Sequence, residues 1–161
     1  NLLNHQNEFK QDFLFSFGLT ETFKEFMKGY KPEKHLDLLF ESLCSSTNFE
    51  AQVIKEISQK SENEFKDKSS KDILKLLNEK NDTKIYPSRI LNLGIYLLIS
   101  NSQDFQEKNE SEKNAIIADI FEKLNLSFDK AEKDIGIYKS SITKMEQAKE
   151  LIQELRIKDK N

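Results

Sequence analysis

The sequence predicts an all-α fold: a multi-helix bundle around a buried central helix at about residues 85–100, with a long C-terminal helix. Three observations carry this. Glycine and proline are scarce, 4 and 2 in 161 residues, too few for the many turns of an all-β domain. Across most of the chain apolar residues recur at intervals of three and four, the period of a helix with one buried face. Only between Ile85 and Ser100 do they point every way around the helix, and such a helix has to be surrounded. Its mostly apolar run of roughly ten residues spans about 15 Å, half of what a bilayer core requires. It is a core helix, and no transmembrane segment is expected.

The elements follow in order. Asp12 is expected to cap a helix with Phe15, Leu19, Phe23, Phe26 and Met27 on one side, ended by Gly29. Gly18 costs that helix up to ~1 kcal/mol relative to Ala, which is more easily tolerated if another backbone crosses closely there. Pro32 starts a second helix with Leu36, Leu39, Phe40 and Leu43 inward, forming a helical hairpin with the first. Thr47 and Glu50 have capping-box spacing ahead of a third helix striped by Phe49, Val53, Ile54 and Ile57, which fades near Lys60. The polar run from Gln59 to Lys71 reads as a solvated loop or loose turn. Ser69 and Asp72 repeat the cap spacing before Ile73, Leu76 and Leu77, and Asn81-Asp82 stops that short helix.

Ser88 or Tyr86, beside Pro87, opens the central helix, and Asn101-Ser102 closes it. Ser111 is expected to cap a helix carrying Ile116, Ile117, Ile120, Phe121 and Leu124, ending at Asn125. Ser127 or Asp129 opens the last element, on the order of 28 residues or about 40 Å long. The chain therefore divides into a helical bundle at 1–127 and a long C-terminal helix at 128–161, a possible coiled-coil arm. The apolar positions of this helix, Ile135, Tyr138, Ile142, Met145, Ile152 and Leu155, contain heptad steps, with Lys149 interrupting one row. Nothing after it covers the stripe, so it either folds back on the bundle or projects toward another chain. Ile142, Met145, Ile152 and Leu155 are the candidate partner-binding residues.

At 37% hydrophobic, 161 residues suffice for one domain of ordinary size with a single core. Charged residues make up 33%, but 25 basic against 28 acidic leaves a net charge of −3, no field for a general nucleic-acid binder. One cysteine, Cys44, allows no internal disulfide, and its neighbours Phe40 and Leu43 mark it as core filler. The start at Asn1, with Leu2-Leu3 reading as the tail of a helix, points to residues lost upstream, including any targeting segment.

A search for converging chemistry yields nothing catalytic. His5 and His35 are the only histidines and are read as surface residues. Glu107, Glu110 and Glu112 could suggest paired acids, but Lys and Asn surround them and no Glu-x-x-His occurs, so they form a solvated face. Phenylalanines at helical spacing could line a pigment or lipid pocket, or form an ordinary helical core. No catalytic, metal or cofactor-binding residue is assigned.

Specific segments carry a family resemblance. Phe23-Lys24-Glu25-Phe26-Met27-Lys28-Gly29-Tyr30-Lys31-Pro32 and Leu39-Phe40-Glu41-Ser42-Leu43-Cys44 resemble the thylakoid formation protein family, also called the photosystem II biogenesis protein. Tyr86-Pro87-Ser88-Arg89-Ile90-Leu91-Asn92-Leu93-Gly94-Ile95-Tyr96 is similar to that family's central helix. Glu132 to Ser141 and Lys144 to Leu151 resemble its entry into a C-terminal coiled coil. Order and spacing hold over most of the chain, while Gln59 to Asn81 departs, and of the family's leading helix only Leu2-Leu3 remain. The resemblance implies an all-helical, non-enzymatic factor of cyanobacteria and chloroplasts, peripheral to the thylakoid on its cytoplasmic or stromal side. It further implies partnership with the FtsH membrane protease and with photosystem II assembly intermediates, and no catalytic residues to carry over. A pigment- or lipid-binding carrier is the alternative.

Overall fold

A computed structural model describes residues 2–29, 33–46, 50–80 and 88–160, and among these there is no strand. Eight helices follow one another: α1 (Leu2–Phe26), α2 (Leu36–Ser45) after a 3-10 turn (Glu33–His35), α3 (Ala51–Phe65), α4 (Ser70–Lys80), α5 (Arg89–Ser100), α6 (Gln103–Gln106), α7 (Glu110–Lys123) and α8 (Phe128–Lys160). The all-α expectation holds.

The central helix is α5. Five consecutive residues, Leu91 to Ile95, are buried, and so are Leu98 and Ile99. Ser88 opens it, its hydroxyl oxygen accepting the Leu91 N–H at 3.1 Å. The stretch 85–87 of the expected helix lies outside the described residues. Around α5 the main core gathers Leu14 and Phe17 of α1, Ile73 and Leu77 of α4, Phe105 of α6, and Phe121 of α7. A smaller cluster under α2 and α3 joins Leu19, Phe40, Cys44 and Ile54, with the Phe23 and Phe40 rings edge to face at 5.1 Å.

Several expected boundaries are corrected. Helix α1 runs unbroken through residue 12, so Asp12 does not open it, and Leu2-Leu3 belong to its first turn. Gly29 ends the turn after it at φ +82°, a left-handed conformation that glycine adopts without strain. The main neighbours of α1 are α5 and α3, and it meets the short α2 where Phe23 packs on Phe40. Leu43 is exposed, and Cys44 takes the inward position beside Phe40. Pro32, Thr47 and Phe49 lie outside the described residues, as do Asn81-Asp82, and Glu50 opens α3 without a side-chain hydrogen bond.

Helix α3 does not fade at Lys60. It continues to Phe65 because Ser58 and Ser61 face inward and are buried. The Ser61 hydroxyl donates to the Ile57 carbonyl at 2.8 Å, so it enters the core with its hydrogen bond already made. Only Lys66 to Ser69 then separate α3 from α4. Ser69 caps α4 as expected, its oxygen accepting the Asp72 N–H at 3.2 Å. A second tie reaches the same helix end from α6: Asp104 accepts the Ser70 N–H at 2.9 Å and the Ser70 hydroxyl proton. Burial alone would raise the Asp104 carboxyl, but hydrogen bonds from Ser70 and Ser102 outweigh it and hold the group below the usual carboxylate range.

The cap of α7 is Asn109, not Ser111. Its Oδ1 accepts the Glu112 N–H at 2.9 Å, while its Nδ2 donates to Glu112 Oε1 at 2.9 Å, a reciprocal pair that Ser111 is too far along to make. α7 closes where expected. Asn125 takes φ 59°, and Asn125 and Leu126 donate to the carbonyls of Glu122 and Phe121 at 3.0 and 2.9 Å, the double bond of a Schellman ending. Leu126 is buried there and turns the chain into α8.

Candidate functional site

The C-terminal helix divides into two parts with different surroundings. Ser127 opens it, its hydroxyl oxygen taking the Lys130 N–H at 3.5 Å. Over the first part, Ala131, Ile135 and Tyr138 are buried against α5 and α7, and Ile142 packs at the edge of the same core. Polar groups fix the register. Asn92 of α5 donates through Nδ2 to Asp134 Oδ2 at 3.0 Å, and Arg89 approaches Asp134 Oδ1 at 3.7 Å. The arginine is largely exposed and adds little. The charged hydrogen bond from buried Asn92 contributes more.

Tyr138 sits edge to face with Phe26 of α1, ring centroids 6.1 Å apart. Burial, then the nearby charges of Glu25 and Glu21 with Tyr96 beside it, push its phenol up to about 12. The hydroxyl therefore stays neutral at any physiological pH. The last tie to the bundle is Lys149, whose ammonium donates to the Lys28 carbonyl just beyond the end of α1, where a helix terminus favours positive charge.

Past Lys149 every described side chain to Asp159 is exposed. This outer segment of ten residues reaches about 15 Å at 1.5 Å per residue. It carries Leu151, Ile152, Leu155 and Ile157, each at least half exposed at 50–61%. The four candidate partner-binding residues are thus divided. Ile142 and Met145 are half-buried toward the bundle, whereas Ile152 and Leu155 are open.

At about 100° per residue, Ile135, Tyr138, Ile142, Met145 and Lys149 fall on one line, and this is the line that packs on the bundle. Ile137, Ala148, Leu151 and Leu155 fall on another, about a third of a turn away. Continuing along the bundle-facing line past Lys149 meets Ile152 at its edge, then Gln153 and Arg156, so Leu151 and Leu155 lie off that line while Ile152 falls between the two. Sequence reasoning missed Ile137, which is exposed beside the core, and Leu151. Their signal was present as the alternating four and three spacing of 137, 141, 144, 148, 151 and 155, hidden because Ser141 and Lys144 occupy two of its positions.

Other chemistry is sparse. Among the described residues no group of three or more His, Cys, Asp or Glu is placed to share a metal ion. His35 is exposed in the turn before α2, and Cys44 is fully buried, its thiol pushed up by burial against a smaller opposing effect of Lys55. Among the described residues no helix is long and apolar enough to cross a membrane.

The profile of the thylakoid formation protein family matches residues 1–161. The chain is 81% identical over 160 residues to Protein Thf1 of Prochlorococcus marinus strain MIT 9312, covering 99% of this chain and 80% of that protein. It is 68% identical to Protein Thf1 of Prochlorococcus marinus subsp. pastoris strain CCMP1986, covering 99% and 79% respectively. The solved structure of Psb29 superposes with a TM-score of 0.75 at 25% identity, over 92% of this chain and 75% of that one. With the family profile matched over the whole chain and this level of identity to its relatives, the chain belongs to the thylakoid formation protein family.

Proposed function

We propose that the protein is a non-enzymatic factor in thylakoid and photosystem II biogenesis and repair: a helical bundle that presents the outer end of α8 to an FtsH-type membrane protease and to photosystem II assembly intermediates. The observation that carries this reading is the apolar stripe of Leu151, Ile152 and Leu155, which continues beyond the last bundle tie at Lys149. Burying each such side chain contributes roughly 1.5–3 kcal/mol, and the bundle does not supply that burial. Family membership supports the thylakoid setting. The non-enzymatic reading is supported by the use of the ordered acids as structural ties, Asp104 to Ser70 and Asp134 to Asn92. A peripheral place on the cytoplasmic side of the thylakoid is part of the same proposal.

The test is capture from solubilised thylakoids with the tagged chain, read by mass spectrometry, alongside the double variant Ile152→Glu, Leu155→Glu. FtsH subunits should be recovered with the wild type and lost with the variant. Equal recovery with both would remove the outer stripe as the site, and absence of FtsH from both would remove the protease. Co-purifying chlorophyll or carotenoid would favour a carrier.

A further inference from the structure

Between the end of α1, the start of α2 and the middle of α3 lies a cleft of about 480 Å³, within the range of sites that bury most of a small ligand (about 300–1,000 Å³). Helices α2 and α3 each supply little more than one turn of its wall, from Leu36 to Phe40 and from Lys55 to Gln59. Walls of single turns enclose a compact ring system better than a long chain. The apolar part of the lining is Phe23, Met27, Leu36 and Phe40, with the two rings edge to face.

Two hydroxyl residues enter the same space from the interior. Thr20 lines the cleft at 7% exposure, and its hydroxyl has no hydrogen-bond partner among the described residues. Ser58 lines it from α3 and is equally deep. A buried hydroxyl without a partner is costly to keep, and a polar group bound beside Thr20 would remove that deficit. Along α1 and the turn after it, Thr20 and Lys28 mark the two ends of the lining, about 12 Å apart.

The charges of the cleft favour an anion. Its lining holds Lys24, Lys28 and Lys55 against one acid, Asp37. Asp37 meets Lys55 at 2.9 Å from the solvent side, its side chain 80% exposed against 36% for the lysine. The Lys55 ammonium also lies 5.3 Å from the centre of the Phe40 ring. Lys24 is paired with Glu21 at 3.3 Å. Lys28 makes no ion pair among the described residues, and the Lys149 ammonium approaches its carbonyl. Even with Glu21 counted, three lysines face two acids, and the charge left over is that of Lys28. The larger cleft beside the inner part of α8 has the opposite balance, Glu25, Glu110 and Glu132 against Lys113 and Lys139.

From this geometry we infer that the cleft between α1, α2 and α3 binds a small aromatic carboxylate with a polar substituent at its far end. Its rings lie on Phe23 and Phe40, its carboxylate meets Lys28, and its substituent meets the Thr20 hydroxyl. The site is separate from the outer stripe of α8 and does not depend on the protease reading.

The experiment is calorimetric titration of the whole chain with 6-hydroxy-2-naphthoate, compared with 2-naphthoate, 6-hydroxy-2-naphthamide and inorganic phosphate. The hydroxynaphthoate should bind saturably at micromolar concentration, and the amide at least about tenfold more weakly, as the loss of a charged hydrogen bond requires. 2-Naphthoate, which lacks the hydroxyl, should bind about threefold or more weakly than the hydroxynaphthoate. Lys28→Gln, at an exposed position, should lower hydroxynaphthoate affinity about tenfold and leave that of the amide in place. Thr20→Val should keep its melting temperature and bind the two naphthoates alike. If that variant fails to fold, Lys28→Gln and the ligand series decide the matter. Lys113→Gln in the larger cleft, and Ile152→Glu with Leu155→Glu on the outer stripe, should bind like the wild type. The proposal is overturned by absence of saturable binding, by amide or phosphate binding as tightly as hydroxynaphthoate, or by wild-type affinity in a folded Lys28→Gln. A folded Thr20→Val that still prefers the hydroxyl compound, or loss of binding in Lys113→Gln, would overturn it as well.

Discussion

Gly18 of α1 and Gly94 of α5 face each other at the point where the two helices cross, their backbones closer than any side chain would allow. A Cβ on Gly18 would lie 2.5 Å from the Ile90 carbonyl oxygen, and one on Gly94 would lie 2.5 Å from that of Leu14. Both obstacles are backbone, so neither can yield by a rotamer change. Gly94→Leu should therefore destabilise toward the upper end of the ~1–3 kcal/mol typical of overpacking, lowering the melting temperature by on the order of 2–12 °C for a chain of this size. Gly136→Ala is the contrasting case. With open space for its Cβ, it should leave stability unchanged or raise it by the ~0.4–1 kcal/mol of a compatible Gly→Ala change. Calorimetry of the two variants checks both, and a Gly94→Leu melt within error of the wild type would contradict the crossing.

For the outer part of α8, Ile152→Glu with Leu155→Glu should leave bundle stability nearly unchanged, since both side chains are at least half exposed. A drop of several degrees in the isolated protein would mean that the stripe is covered by its own bundle. Hydrogen exchange gives an independent reading: amides around Ile135 to Ile142 should be protected, with protection falling steeply past Lys149.

Asp104 makes stability sensitive to acid. Its carboxyl is held below the ordinary range by the bonds to Ser70 and Ser102 against the opposing effect of burial. The folded state thus binds this proton less tightly than the unfolded chain does. The contribution is present above the ordinary carboxylate pKa of about 4 and is lost as pH falls through the folded value. Urea melts between pH 5 and pH 2 should show a shallower acid loss in Asp104→Asn than in the wild type, although the variant is less stable at pH 7. Parallel slopes would mean that Asp104 is not a source of the acid sensitivity.

Tyr138 acts at the other extreme of pH. Its folded phenol is pushed up to about 12 by burial and then by Glu25, Tyr96 and Glu21, so the folded state holds this proton more tightly than the unfolded chain. That contribution is complete below the ordinary tyrosine value of about 10 and is lost as pH rises from there toward the folded value. Absorbance at 295 nm should show one of the four tyrosines ionising late or only with unfolding, and Tyr138→Phe should remove that late component.

Much of this protein is already determined by its sequence, because helical periodicity and capping are local. Residues three and four apart share a face in any helix, and Ser69, Ser88 and Asn125 act on backbone groups within a few residues of themselves. The all-α class, the surrounded central helix and the long last helix follow from such relations. The tertiary structure decided what depends on groups far apart in the chain. Ser58 and Ser61 look like surface in the sequence, yet they lie in the core, Ser61 with its hydroxyl bound to its own helix. The pairing of Gly18 with Gly94 joins positions 76 residues apart, which no local pattern specifies. Which line of α8 is covered and where coverage stops were likewise set by Asn92, Phe26 and the Lys28 carbonyl. Burial depends on the neighbouring element, and periodicity names a face without naming what it meets.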